Sequence, residues 1–233
     1  MRKDLNIFID PATKEPLKLK VFKEDEYGVM SGELLGASKK YPVINGIPRF
    51  VPKKLYSGCI KGSAEDQTAK SFGNKWREKR NRNLGYCLSD VKILEEQFLA
   101  MLGCNSVSQL KKIFKSAGKT LNAGCGVAWS EYLFNLNLET QRHCIDFSLS
   151  VKTAFDKTKH LKNVIVSQAS IFELPYPDNT FDIVSFPHPL KFPISGRALR
   201  RSALCIVLLG FLVFSLLAAR KPFLPLSNHA PLH

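Results

Sequence analysis

Apolar residues follow two different periods along the chain. Near the start, Leu17-Lys18-Leu19-Lys20-Val21-Phe22 alternates apolar and polar positions, the period of a half-buried strand. Tyr41-Pro42-Val43-Ile44 and Ile47-Pro48-Arg49-Phe50-Val51 flank Asn45-Gly46, a strong signal for a two-residue hairpin turn. The prolines confine these strands to edges or ends. Residues 1–54 therefore read as a small β-rich module, and the polar, small-residue stretch 55–69 reads as a linker. Over Asp90 to Leu102 the apolar positions form a helical stripe, with Ser89 or Asp90 as N-cap candidates. A shorter helix is expected over Ser106 to Phe114, ending near Gly118.

From Thr120 onward short apolar runs alternate with helix-like segments. Strands are expected at Thr120-Leu121, Gln141 to Ile145, Val164 to Ser167 and Phe181 to Phe186, and a helix at Trp129 to Phe134. Such alternation predicts right-handed βαβ crossovers and a parallel sheet. Between the first strand and its helix stands Asn122-Ala123-Gly124-Cys125-Gly126. Glycines at such a turn let a ligand approach the backbone, and the helix start beyond them is expected to offer free N–H groups. Asp146 ends the second strand about twenty residues later, where a ribose-binding acid belongs. Leu174-Pro175-Tyr176-Pro177-Asp178-Asn179 forms a turn-rich loop before the fourth strand.

The joint order of Leu121-Asn122-Ala123-Gly124-Cys125-Gly126, Cys144-Ile145-Asp146 and Leu174 to Asp182 resembles the class I S-adenosylmethionine-dependent methyltransferases, especially those acting on small molecules and lipids. The resemblance spans residues 70–190. It implies S-adenosylmethionine as cofactor and a small-molecule or lipid acceptor. It also implies a cofactor site made of Asn122, Ala123, Gly124, Cys125, Gly126, Asp146, Phe147, Ser170 and Ile171. In that site Gly124 and Gly126 border the methionine and ribose parts, Asp146 accepts from the ribose hydroxyls, and Ser170-Ile171 borders the adenine. Asp146 also reads as an N-cap, although Ser148 is the better cap. Asp182 reads as a loop-orienting residue.

Three positions depart from the family pattern: Asn122 and Ser170 stand where acids are usual, and Ala128 replaces a third glycine. No catalytic residue is assigned. His188, between Pro187 and Pro189, is a candidate base only by its place after the fourth strand. Phe72 and Trp76 read either as a cover over the cofactor site or as core anchors on one helix face.

Tyr41 to Pro48 resembles a small zinc-ribbon-like domain found beside some methyltransferases. That domain carries Cys-Pro-x-Cys where this chain has Asp10-Pro11-Ala12-Thr13, and one carboxylate does not make a tetrahedral zinc site. No structural zinc or other metal is expected.

Composition adds bounds. The chain has 233 residues and 45% hydrophobic residues, enough for a sizeable core. Its six cysteines form no C-x-x-C pair, which argues against a disulfide framework and fits a reducing, cytoplasmic setting. No secretory signal follows Met1. The net charge of +14 is unevenly placed: residues 121–190 carry five basic and seven acidic side chains, and residues 191–233 carry six and none. With no aromatic-interleaved basic motif, the excess reads as a solvated lysine-rich face, and a nucleic-acid partner is not expected.

Ser202 to Ala219 is eighteen residues without a charge, flanked by Arg197, Arg200, Arg201, Arg220 and Lys221. Three readings stand: a membrane-spanning helix over 202–219, a buried core helix, or an altered end replacing about another hundred residues of the usual domain. The expected fold is thus α/β. It has an incomplete Rossmann-like parallel sheet, an N-terminal β-rich module, and a tail at 191–233 with an apolar helix. Two functions compete: methyl transfer, or a non-catalytic methyltransferase-like binding module tethered to the cytoplasmic side of a membrane.

Overall fold

The structure, a computed structural model, describes residues 1–3, 7–57, 92, 95–96, 99–100, 104–134, 139–185, 204–209 and 212–217. The expected linker beyond residue 57, most of the helix at 90–102, Phe72, Trp76 and His188 lie outside these residues.

The N-terminal module is a four-stranded antiparallel sheet in sequential order: β1 (Lys18–Asp25), β2 (Gly28–Leu35), β3 (Lys40–Ile44) and β4 (Ile47–Pro48). The Asn45-Gly46 hairpin forms as expected, with φ of 51° and 79° at its two residues, the positive pair that a twisted two-residue turn requires. The sequence reading missed β2. Its Gly28, Ser31 and Gly32 break the apolar alternation, and pairing with β1 and β3 on both sides compensates for low strand preference. Where a zinc knuckle would sit, Asp10 Oδ1 accepts from the amides of Ala12 at 2.8 Å and Thr13 at 3.3 Å. A carboxylate closes that turn by itself.

The second sheet has the order β10 (Leu212–Leu217), β9 (Leu204–Leu209), β8 (Ile183–Ser185), β5 (Lys119–Ala123), β6 (Gln141–Asp146), β7 (Val164–Gln168). Strands β5, β6, β7 and β8 are parallel, as the alternating pattern predicted. Helices α1 (Val107–Lys115), α2 (Trp129–Phe134) and α3 (Ser150–Thr158) accompany them. Helix α1 begins as expected: Ser106 Oγ accepts from the Gln109 amide at 3.2 Å. Asp182 Oδ2 accepts from the amides of Gly118 and Lys119, both at 2.9 Å, at the start of β5. It thus orients the entry to the first parallel strand, at the end of the sheet away from the glycine turn. Asp182→Ala is expected to lower stability by about 1–2 kcal/mol. Cofactor affinity should stay unchanged, and a urea titration beside a binding isotherm separates the two effects.

The apolar helix expected over 202–219 is corrected. Leu204–Leu209 and Leu212–Leu217 are strands β9 and β10, with β9 parallel to β8 and β10 antiparallel to β9. An apolar run has no period of its own, so it fits a buried strand as well as a helix; the Ile206-Val207 and Val213-Phe214 content favours strands. Among the described residues, no helix is long and apolar enough to cross a membrane.

The two sheets share one hydrophobic core. Phe8, Leu34, Tyr41 and Phe50 of the N-terminal module pack with Leu121, Ile145 and Ile165 of the second sheet and with Tyr176 from the loop before β8. The edge strand β7 is extended by the module: Phe50 N donates to Gln168 O at 2.8 Å, and Arg49 pairs in parallel with Gln168. On the other face the hairpin turn rests against helix α3, where Ile47 and Phe155 share a second cluster. The N-terminal module is therefore fixed to the larger sheet at two places.

Candidate functional site

Parallel pairing of β5, β6 and β7 aligns their carboxyl ends on one rim of the sheet. The rim carries the glycine turn after β5, Asp146-Phe147 after β6 and Ser170-Ile171 just past β7. Ligands bind at this rim in open α/β sheets. All nine expected site residues, Asn122 to Gly126, Asp146, Phe147, Ser170 and Ile171, lie along it.

The turn itself is braced internally. Gly124 and Gly126 have φ of 79° and 56°, in the left-handed region that glycine tolerates. A Cβ built on Gly124 would meet no heavy atom within 4 Å, so its face is open for close approach. The amides of Gly124 and Cys125 both donate to Ile145 O, at 2.8 and 2.9 Å. The Gly126 amide donates to Asp146 Oδ2 at 2.9 Å. These three N–H groups are occupied by the protein. Ala128 also takes a left-handed conformation, at φ 54°, and is fully buried. A methyl there is tolerated at a cost of about 1–2 kcal/mol.

Both oxygens of the Asp146 carboxylate are bonded within the protein, and the N-cap of α3 is Leu149, which makes no side-chain cap bond. Asp146 Oδ2 holds Gly126, and its Oδ1 accepts from Ser148 N at 2.8 Å and Ser148 Oγ at 2.7 Å. Ser148 Oγ in turn accepts from Ser150 N at 3.3 Å, at the first residue of α3. One carboxylate thereby ties the glycine turn to the next helix. Phe147 lies against Val51, Leu55 and Tyr56 of the N-terminal segment, and its carbonyl accepts from Gln168 Nε2 at 2.9 Å. Gln168 Oε1 accepts from Arg49 Nη1 at 2.8 Å. Burial pushes the Arg49 pKa down to about 10. Ser170 Oγ accepts from the Phe172 amide at 3.2 Å, and Ile171 packs partly buried against the main core. Cys125 is buried, which pushes its thiol pKa well up, so its contribution to the rim is its backbone.

Sequence reasoning missed two features of this region. Arg49 reaches it from the other sheet, 119 residues from Gln168, and no local pattern marks such a pair. Glu131 of α2 is buried and bonded to Asn122; its place three residues into a six-residue helix gave no sign of that. Among the described residues, no group of three or more His, Cys, Asp or Glu side chains is arranged to hold a metal.

Residues 121–199 match a family model described as a methyltransferase domain. The match starts in β5 and takes in the glycine turn, Asp146 and the rim after β7. The likeness to a methyltransferase domain covers about a third of the chain. Similar solved structures include phosphoethanolamine N-methyltransferase 1 of Haemonchus contortus, at 17% identity and TM-score 0.38, covering 62% of this chain and 29% of that one. A SAM-dependent methyltransferase from Aquifex aeolicus is 23% identical with TM-score 0.38, covering 52% and 71%. The [4+2]-cyclase SpnF is 16% identical with TM-score 0.39, covering 64% and 61%. The chain thus spans less than a third of the length of the Haemonchus enzyme. No curated protein matches the chain.

Proposed function

We propose that the chain binds S-adenosylmethionine on the rim formed by β5, β6 and β7 and transfers its methyl group to a small-molecule or lipid acceptor. The observation that carries this reading is the Asp146 carboxylate. It ends the strand beside the glycine turn and is bonded to Gly126, two residues from Gly124, whose Cβ side is open. Bound there, S-adenosylmethionine would supply an electrophilic methyl on a sulfonium. The protein's part is to orient it in line with a nucleophile. Gly124 admits the cofactor to the backbone, Asp146 fixes the turn and faces the ribose, and Phe147 and Ile171 border the base.

Asp146→Ala is expected to weaken S-adenosylmethionine binding at least tenfold, because hydrogen bonds to a charged group contribute about 1.5–3 kcal/mol each. Calorimetric titration of both proteins is the check, and equal affinities would remove Asp146 from the site. The second reading, binding without turnover, draws on Asn122 and Ser170, which stand where the resemblance has acids. Methyl transfer from labelled cofactor to any small-molecule or lipid acceptor excludes it.

A further inference from the structure

The N-terminal sheet buries one face and leaves the other bare. Leu34, Tyr41 and Val43 lie in the main core, with Leu19 and Val21 packed against it. Side chains alternate along a strand, and residues directly opposite on neighbouring strands share a face. Pairing therefore puts Lys18 and Lys40 on the outer face, either side of Leu35, and Lys20 beside Glu33. On the same face Lys23 and Ile44 flank Ser31. Phe22 stands at the bulge between Val21 and Lys23, and Lys20 Nζ lies over its ring, 5.5 Å from the centroid. Phe22 is 55% exposed and Ile44 37%, and the four lysines around them are exposed as well. Among the described residues, the ion pairs include none of these lysines.

Lysines on β1 protect an edge strand from pairing with other chains. That accounts for only part of the patch. Lys40 is on β3, an inner strand held by β2 and β4, and edge protection gives no reason to expose Phe22 and Ile44 among the lysines. A partner that is anionic at its surface and apolar beneath satisfies both features. We propose that the outer face of β1–β3 docks on an anionic lipid bilayer, with Phe22 and Ile44 entering the boundary between headgroups and acyl chains and Lys18, Lys20, Lys23 and Lys40 meeting the phosphates. A nucleic-acid strand fits the face less well. Bases stack on aromatic rings and arginine planes, and this face offers one ring, an aliphatic Ile44 and no arginine. The face shares no residue with the cofactor rim, so lipid binding and cofactor binding hold or fail separately.

The test is co-sedimentation of the full chain with vesicles of phosphatidylglycerol and phosphatidylcholine in equal parts, against vesicles of phosphatidylcholine alone. The wild type should sediment with the first and far less with the second. One lysine near an anionic surface strengthens binding about fivefold, so Lys18→Glu with Lys20→Glu and Lys40→Glu should weaken it by more than about tenfold. Phe22→Thr with Ile44→Thr, which suits exposed strand positions, should weaken it about tenfold by removing the apolar contact. The control reverses the same number of charges on exposed positions of helix α1, Lys111→Glu, Lys112→Glu and Lys115→Glu, and should stay within about twofold of wild type. Phe22→Trp covers the case of a variant that does not fold. Its emission, less that of the wild type, should move to the blue on the anionic vesicles and be quenched by brominated acyl chains. No sedimentation of the wild type, equal losses in the α1 control, undiminished binding in both outer-face variants, or an unshifted Phe22→Trp spectrum overturns the assignment. So does retention of a single-stranded oligoribonucleotide, lost in the outer-face variants, without vesicle binding.

Discussion

Acidifying the protein from pH 6.5 to pH 4 is expected to lower its unfolding free energy by up to about 3 kcal/mol through His143 alone. His143 on β6 is fully buried among Phe8, Tyr176 and Phe181, with ring centroids 5.1–6.2 Å away. Its Nδ1 lies 3.3 Å from the Tyr176 hydroxyl, and its Nε2 has no partner. Burial, with a smaller push from the Lys119 ammonium, lowers its pKa from 6.5 to about 3. In the unfolded chain the ring takes a proton near pH 6.5; in the folded protein it does so only near pH 3. Between those values the unfolded state binds more protons, so stability rises with pH. The contribution is whole above pH 6.5 and is lost as pH falls toward 3. His143→Phe removes the titrating group, so its stability should fall less steeply over the same range, even if its stability at pH 7 is lower. Urea midpoints at pH 6.5 and 4 give the comparison, and equal slopes for the two proteins would sink the assignment.

His143 also marks where sequence reading stops. The strands that hold it were legible because apolar runs recur between helix-like segments, and the hairpin at Asn45-Gly46 because few other residue pairs adopt its backbone. The glycine turn and Asp146 were legible for the same reason: strand order brings residues far apart in sequence to one rim. The buried polar groups were not. Whether His143, Arg49 or Glu131 is buried depends on partners supplied by distant segments, and a polar residue inside a strand or short helix looks the same whether it faces water or a core. The C-terminal apolar run failed differently, since it lacks the polar positions from which a period is read. Gly28–Leu35 failed because two glycines and a serine mask a strand that is held by its two neighbours.

Replacing Gly46 with alanine is expected to destabilise the protein by about 3 kcal/mol, a large part of the 5–15 kcal/mol that holds a typical domain folded. Two effects add. Gly46 sits at φ 79°, where an L-residue is strained by about 1–2 kcal/mol. A Cβ there would lie 2.2 Å from Phe155 Cζ, well inside contact distance, so either the turn or the ring must move. Phe155 belongs to α3 and is 8% exposed, packed beside Val151, Ala154 and Ile47, so the ring has little room. Overpacking of this kind costs about 1–3 kcal/mol. The effect should not stop at stability. Helix α3 begins at Ser150, which is linked through Ser148 to Asp146, and Asp146 holds Gly126. A helix pushed away by the hairpin would pull on that chain of hydrogen bonds, so the folded fraction of Gly46→Ala should also bind S-adenosylmethionine more weakly. Asn45→Gly, at the neighbouring position with φ 51°, serves as the control. It keeps the turn without adding bulk and should leave both the urea midpoint and the affinity nearly unchanged. A wild-type midpoint for Gly46→Ala would show that the hairpin does not rest on α3 in solution, and the mechanical link from the N-terminal module to the cofactor rim would fall with it.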